Sequence, residues 1–290
     1  MKAAILINRG GGSVGERPAI EDALASAGIE GDVQWLEGRH IAKAAKAAVA
    51  KGARLVIAGG GDGTISCVAG VLAGTKSCLG VLPLGTLNHF ARDLKIPTDL
   101  AEAAKLIATG KARPVDLAEV NGRVFVNNSA VGLYPLMVLD REAQQSDLGR
   151  SKRWAMAVAA TRTLLRFSSR RLRLTVNNQT AVVDTPLLFV GNNAYRLEMP
   201  GAGTREAIDR GELFVLVLRR KSRLGFCLAS VRALFGRARR EDAAQIDGVK
   251  TLKVDSRHSK MAVSLDGETL HMKPPLKYKI RPKALNVIAP

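Results

Sequence analysis

The architecture of this 290-residue chain follows from one run of residues, Leu55-Val56-Ile57-Ala58-Gly59-Gly60-Gly61-Asp62-Gly63-Thr64-Ile65. A strand pattern leads into glycines and then into a helical pattern over residues 65–72. Since glycine has no Cβ, a phosphate can closely approach the main-chain N–H groups of Gly60, Gly61 and Gly63. We expect Thr64 to cap the helix, whose first N–H groups attract anions. The run predicts a phosphate site, and a plain strand-to-helix turn is the alternative.

Asp62 is the unexpected member of this run. A carboxylate among phosphate-binding amides repels its ligand unless a cation lies between them, and Mg²⁺ commonly does so in nucleotide sites. We therefore predict that Asp62 orients the Mg²⁺ of a bound nucleotide.

The first part of the chain alternates between strand and helix patterns. Apolar strand candidates at 3–8, 33–36, 54–58 and 79–82 are separated by helical patterns, which predicts a mainly parallel sheet with helices on its faces. Ligand-binding loops of such a sheet lie at the carboxyl ends of the strands. Two further loops fall there, Asn8-Arg9-Gly10-Gly11-Gly12-Ser13 and the run from Pro83 that contains Gly85, Thr86 and Asn88.

The second part of the chain changes to short alternating strands. Asn121-Gly122 and Asn177-Asn178 are hairpin signals, and strand candidates continue to residue 272. We expect an α/β nucleotide-binding domain over 1–115 and a β-rich sandwich domain over 116–280, with residues 281–290 returning to the first.

Composition limits the class of protein. Apolar runs are far shorter than the roughly 20 residues that cross a bilayer, and the apolar run at Met1 is too short for a signal peptide. The expected location is cytoplasmic. Three separated cysteines, Cys67, Cys78 and Cys227, do not suggest zinc or disulfides. The net charge is +18, concentrated in segments 150–173 and 219–240, and favours nucleic acid or an acidic membrane as partner.

The run Gly-Gly-Asp-Gly-Thr resembles the superfamily of diacylglycerol kinases, sphingosine kinases and NAD kinases. Pro83-Leu84-Gly85-Thr86-Leu87-Asn88-His89-Phe90-Ala91 is similar to the lipid-kinase branch. Three later segments, 125–132, Gly191-Asn192 and Leu265-Asp266-Gly267-Glu268, also resemble bacterial diacylglycerol-kinase-type lipid kinases. The resemblance implies that Glu268 is the general base; from the residues alone, Asp266-Gly267 also fits an ordinary hairpin turn.

The sequence departs from this family pattern at three points. The first loop has Arg9 and extra glycine in place of Asn-Pro, and His89 stands where many relatives have Asp. The relatives' Asp-Asp-Gly segment, associated with a structural Mg²⁺, reads Asp209-Arg210-Gly211 here. We retain Asp209 as a candidate ligand of a second Mg²⁺, with Arg210 placing a cation where the relatives have the second acid.

The resemblance implies an ATP- and Mg²⁺-dependent lipid kinase, with diacylglycerol as the simplest acceptor. The phosphates would be held by residues of the first two loops, namely Asn8, Gly11, Gly12, Ser13, Gly60, Gly61, Gly63 and Thr64. The nucleotide cleft would be completed by Gly85, Thr86 and Asn88. The catalytic residues would be Asp62 and Glu268. Ceramide or sphingoid-base phosphorylation, NAD phosphorylation and a non-catalytic binding protein are the alternatives. Basic segments 150–173 and 219–240 would hold the protein peripherally at an anionic membrane. The absence of nucleic-acid motifs disfavours that partner, and the oligomeric state stays open.

Overall fold

A computed structural model describes residues 2–10, 17–132, 169–195, 205, 207–219, 222, 225 and 241–290. The chain divides into two compact units. The first comprises Met1–Leu117, Ala207–Gly211 and Arg281–Pro290, and the second comprises Ala118–Glu206 and Glu212–Ile280.

The first unit has the predicted alternation of strands and helices. Its elements in chain order are β1 (Lys2–Asn8), α1 (Arg17–Ser26), β2 (Glu30–Leu36), α2 (Gly38–Ala50), β3 (Leu55–Gly60), α3 (Asp62–Leu72), β4 (Cys78–Pro83), α4 (His89–Asp93) and α5 (Leu100–Thr109). The strand β5 (Lys111–Val120) then leads into the second unit. Asp99 accepts a hydrogen bond from the Glu102 amide at the start of α5, and Gly110 ends that helix.

A parallel sheet with the order β2-β1-β3-β4 forms the centre of the first unit. One core packs side chains of α1 and α5, such as Ile20, Leu24 and Ile107, against Ile5 and Ile57. Helices α2 and α3 contact each other and the strands β1 and β3. This layered arrangement confirms the predicted α/β class.

The second unit is an antiparallel β-sandwich. Its strands are β6 (Arg123–Phe125), β7 (Asn128–Gly132), β8 (Arg170–Val176), β9 (Gln179–Thr185), β10 (Leu187–Asn192), β11 (Leu213–Leu218), β12 (Ala243–Val249), β13 (Thr251–Asp255), β14 (Met261–Leu265), β15 (Glu268–Met272) and the first part of β16 (Leu276–Ala289). One sheet has the order β12-β11-β10-β7-β14-β15, and the other contains β16, β13, β8 and β9. A shared core joins them, with Val131, Val190 and Leu265 from one sheet and Leu174 and Tyr278 from the other.

Two segments return to the first unit after the β-sandwich begins. The end of β16 pairs in parallel with β4, through Asn286 with Cys78 and Val287 with Leu79. Residues Ala207–Gly211 also belong to the first unit, although the division drawn from the sequence places them in the second domain. The reason is hydrogen bonding, because the Asp116 amide donates to the Ile208 carbonyl at 3.0 Å.

Candidate functional site

The loops after β1 and β3 lie at a topological switch point. The chain leaves β1 to form β2 on one side and returns to form β3 on the other. Pairing of Ile7 with Gly59 and of Gly60 with Pro83 brings the ends of β1, β3 and β4 to the same sheet edge. Ligands of open α/β sheets bind in the crevice at such a point. Three loops selected from the sequence therefore begin side by side.

Asn8 connects the first of these loops to α3. Its Nδ2 donates to the Thr64 hydroxyl at 2.8 Å, and its Oδ1 accepts from the Gly10 amide at 3.0 Å. Thr64 itself is buried. The remaining residues proposed for this loop, Gly11, Gly12 and Ser13, lie outside the described residues.

Helix α3 begins earlier than the glycine pattern suggests. The prediction that Thr64 caps the helix is wrong, because Gly61 occupies the N-cap and Thr64 lies in the first turn. The first helical hydrogen bond runs from the Ile65 amide to the Gly61 carbonyl at 3.1 Å. The amides of Asp62, Gly63 and Thr64 precede it and have no acceptor within the described part of the chain. Three such donors at a helix N-terminus form an anion-binding site.

Close packing requires glycine at two positions, Gly85 where the loops after β3 and β4 meet and Gly60 against the first turn of α3. A Cβ on Gly85 would lie 2.5 Å from the Gly61 Cα and 2.7 Å from Asn88 Oδ1. A Cβ on Gly60 would lie 2.6 Å from Thr64 Oγ1. Packing within the protein therefore requires glycine at these two positions, whether or not a ligand approaches them.

Asn88 holds the second loop in shape. Its Oδ1 accepts from the Gly85 amide, and its Nδ2 donates to the carbonyls of Pro83 and Gly85 at 3.0 and 2.7 Å. Its backbone is left-handed, with φ of 49°, a conformation that asparagine tolerates better than most residues. Thr86 is exposed on the same loop. Asn88 thus positions the loop, and Thr86 is the side chain accessible to a ligand.

Asp62 ties the glycine loop to α4. Its two carboxylate oxygens accept hydrogen bonds from the amides of His89 and Phe90, each at 3.1 Å. These bonds offset the negative charge that made Asp62 unexpected among amides. A carboxylate oxygen accepts more than one bond, so Asp62 also retains capacity for a cation. The half-buried carboxylate and the neighbouring amides fit a Mg²⁺–nucleotide complex.

Glu268 follows a tight hairpin turn in the second unit. Asp266 and Gly267 both have positive φ, 47° and 90°, and join β14 to β15. The Asp-Gly pair is therefore the turn that its composition predicts. Glu268 is exposed at the first position of β15, opposite Leu265.

Asp266 anchors this turn to the segment before β7. Its carboxylate accepts from the amides of Val126, Asn127 and Asn128 at 2.8, 2.8 and 3.0 Å. Sequence reasoning did not identify this role. The segments that contain these residues, 125–132 and 265–268, were both singled out from the sequence, but nothing in the sequence indicated their contact; in the structure their strands β7 and β14 pair directly.

Buried polar groups also hold the same segment. Asn192 Nδ2 donates to the Val126 carbonyl at 2.9 Å, and the Arg205 guanidinium donates to that carbonyl and to Asn127 Oδ1 at 2.6 and 3.1 Å. Buried polar networks fix a local geometry when their members are satisfied. Residues 126–128 thus form a rigid support for the turn that carries Glu268.

Asp209 has a guanidinium as its neighbour. Arg113 Nη2 lies 3.6 Å from Asp209 Oδ2, with both side chains 46% exposed. Arg210 replaces the second acid of the family pattern, and no group of three acidic, histidine or cysteine side chains occurs in the regions that the structure describes. This donor set does not fit a divalent cation.

Asp116 holds the Asp209 loop instead. Its carboxylate accepts from the amides of Gly211 and Lys283 at 2.7 and 2.8 Å. Asp116 is only 1% exposed, so these charge-assisted bonds are shielded from water. The carboxylate joins the two chain segments that return to the first unit.

Most of the basic segments 150–173 and 219–240 lies outside the described residues. Residues 170–173 belong to β8, where Arg171 and Arg173 are exposed. No helix among the described residues is long and apolar enough to cross a membrane.

Comparisons with known proteins match both halves of the chain. Residues 2–120 match the family model of the diacylglycerol kinase catalytic domain, and residues 138–289 match that of the YegS C-terminal NAD kinase beta sandwich-like domain. A relative named "Probable lipid kinase YegS-like" from Cronobacter sakazakii is 44% identical over 36% of this chain and 36% of its own length. A relative with the same name from Klebsiella pneumoniae is 41% identical over 45% of this chain and 45% of its own length. The matched part is thus less than half of these relatives.

Solved structures show the same fold over the whole chain. A diacylglycerol kinase from Bacillus anthracis superposes with a TM-score of 0.71 at 21% identity, covering 100% of this chain and 97% of the other. A second structure, of a "putative diacylglycerol kinase" from the same organism, has a TM-score of 0.76 at 24% identity and the same coverage of both chains.

Proposed function

The chain belongs to the diacylglycerol kinase family with a YegS-type C-terminal domain, and we propose that it transfers the γ-phosphate of ATP to the hydroxyl of a membrane lipid, diacylglycerol first. The observation that supports this most directly is that the amides of Asp62, Gly63 and Thr64, at the switch point of the parallel sheet, have no acceptor among the described residues. Such amides suit the phosphates of a nucleotide.

The first unit binds the nucleotide in this proposal. The α3 amides, with those of Gly60 and Gly61, contact phosphate oxygens, and the exposed Thr86 hydroxyl closes the cleft from the neighbouring loop. Asp62 contacts the Mg²⁺ while its bonds to α4 fix its orientation. Bound Mg²⁺–ATP supplies the phosphoryl group and neutralises part of its charge.

The second unit supplies the base and the acceptor site. Glu268 accepts the proton of the lipid hydroxyl as that oxygen attacks the γ-phosphorus and the bond from this phosphorus to ADP breaks. Carboxylates perform this role in other kinases. Asp266 is a positioning residue, because its bonds to residues 126–128 fix the turn from which Glu268 extends. We place the acyl chains in this β-rich unit.

We propose that the protein works from the cytoplasm at an anionic membrane surface. The excess of 44 Lys and Arg over 26 Asp and Glu supports this, because basic groups are attracted to anionic lipids. Segments 150–173 and 219–240 remain the proposed contacts.

The acceptor is tested by incubating the protein with γ-labelled ATP and, separately, diacylglycerol, ceramide, sphingosine and NAD, the lipids in mixed micelles. We expect diacylglycerol to label fastest. Faster labelling of ceramide or sphingosine would support a lipid kinase with a different acceptor. Labelling of NAD alone would overturn the proposal. Nucleotide binding without any labelled product would leave a non-catalytic binding protein.

A further inference from the structure

A groove of about 490 Å³ opens on the second unit, lined by residues of β5, β8, β13 and β16 and of two hairpin turns. Its lining contains three lysines, Lys253, Lys277 and Lys279, and one carboxylate, Glu119. We propose that this groove, which we call the lysine groove, is a second, non-catalytic binding site for a phosphate-bearing anion. This goes beyond the proposed kinase reaction and does not depend on it.

Strand alternation places all three lysines on one face of the sheet. Along β13 and β16 the buried residues Leu252, Val254, Leu276 and Tyr278 enter the core, and the residues between them are exposed. Successive strand residues face opposite sides of a sheet. Lys253, Lys277 and Lys279 therefore project together from the face opposite the core.

Two of these lysines are direct cross-strand neighbours. The register pairs Lys253 of β13 with Lys277 of β16. Like charges in this position are destabilising, because opposite residues have Cβ atoms only about 5 Å apart. Core packing does not require the pair, since both side chains are exposed. A bound anion that contacts both ammonium groups would remove the repulsion.

The carboxylates near the groove offset only part of its positive charge. Glu119 lies 3.0 Å from Lys279 Nζ, and Asp255 lies 3.1 Å from Lys253 Nζ. In the described part of the chain, Lys277 Nζ has no carboxylate within ion-pair distance. Since Lys253 is 49% and Lys279 is 55% exposed, each ammonium can still approach a ligand from solvent.

Neutral hydrogen-bonding groups complete the lining. Asn177 and Asn178, both with positive φ, form the β8–β9 turn at one end of the groove. Thr175 lies opposite Lys253 in the sheet, and its hydroxyl is bonded to that of Thr180 at 3.0 Å. Ammonium groups joined by amide and hydroxyl donors match the several oxygens of a phosphate ester. The ester can come from a lipid headgroup or from a soluble metabolite.

The test compares two double variants of the full chain. Lys253→Gln with Lys277→Gln removes the opposed pair, and Lys111→Gln with Lys260→Gln removes the same charge from exposed positions outside the groove. Binding is measured to phosphatidylcholine vesicles with and without phosphatidic acid, by sedimentation, and to glycerol 3-phosphate, by calorimetry. Thermal unfolding of each variant checks the fold.

We expect the groove variant to lose about 25-fold in affinity, about fivefold for each lysine, and the control variant to lose much less. Loss confined to phosphatidic acid vesicles identifies a lipid headgroup as the ligand, and loss of glycerol 3-phosphate binding identifies a soluble phosphate ester. Equal losses in both variants would mean a general effect of net charge and would overturn the site. If the wild type binds neither phosphatidic acid vesicles nor glycerol 3-phosphate, the site is overturned as well.

Discussion

The carboxylate of Asp62 accepts a hydrogen bond from the backbone amide of Phe90 at 3.1 Å. This contact joins the glycine loop after β3 to the first turn of α4, twenty-eight residues away in sequence. It gives Asp62 a structural task that is distinct from contact with a metal ion, and the Mg²⁺ dependence of the reaction distinguishes the two tasks.

Asp62→Asn keeps one side-chain oxygen for the α4 amides and removes the negative charge. Because a hydrogen bond to a charged group contributes about 1.5–3 kcal/mol, we expect phosphate transfer to fall at least about tenfold, with a higher Mg²⁺ concentration needed for half-maximal rate. Initial rates over a Mg²⁺ titration measure this. Asp22→Asn, on the exposed side of α1, is the control. An unchanged Mg²⁺ dependence would leave Asp62 a purely structural role.

The bond between Asn8 and Thr64 is expected to support nucleotide binding. Asn8→Ala and Thr64→Val each remove one partner of the 2.8 Å contact. A neutral hydrogen bond contributes about 1 kcal/mol, so each variant should bind ATP several-fold more weakly. The double variant should lose little more than either single one, as double-mutant cycles of coupled pairs show. Fully additive losses in ATP affinity would contradict this coupling.

Gly85→Ala is expected to separate the two loops. The new Cβ would be 2.5 Å from the Gly61 Cα, too close for any arrangement without backbone movement. We expect loss of ATP binding and a lower unfolding temperature, since overpacking typically costs about 1–3 kcal/mol. Gly38→Ala is the matched control, because its Cβ would meet only an ordinary contact at 3.7 Å. Normal ATP binding by Gly85→Ala would be inconsistent with close packing of Gly85 against Gly61.

Asp116→Ala is expected to lower the free energy of unfolding by about 3 kcal/mol, because two backbone amides lose a buried charged acceptor. Denaturant unfolding measures it. Asp209→Ala removes an ion pair that is 46% exposed on each side, and exposed pairs contribute only about 0–1 kcal/mol. Equal effects of the two substitutions on the free energy of unfolding would argue against a stabilising role for the bonds from Asp116 to the Gly211 and Lys283 amides. Because Asp209 has Arg113 as its neighbour, Mg²⁺ added without nucleotide should not change the unfolding of the first unit, to which the Asp209 loop belongs.

The fold could be predicted from sequence where a pattern is local. Periodicity and capping located the strands and helices of the first unit, and Asn121-Gly122, Asn177-Asn178 and Asp266-Gly267 located three hairpins. Each of these signals depends on residues close in the chain. For that reason, the strand order of the sheet and the switch point between β1 and β3 required the structure.

The contacts that position the site connect residues far apart in sequence. Asp116 reaches Gly211 and Lys283 across 95 and 167 residues, and Asp266 reaches Val126 across 140. No periodicity or turn rule registers such pairs. The start of α3 was misplaced for a different reason. The prediction chose the Thr64 hydroxyl as the capping group, whereas Gly61, also a common N-cap residue, occupies that position without a side chain.

The central claim is that Glu268 removes the proton from the lipid hydroxyl. Its most direct test is the initial rate of label transfer from γ-labelled ATP to diacylglycerol in micelles, for wild type, Glu268→Gln and the exposed-site control Glu30→Gln. We predict that Glu268→Gln lowers the rate by about 100-fold or more, with ATP affinity and thermal unfolding unchanged. A rate within about twofold of wild type for Glu268→Gln would contradict the claim.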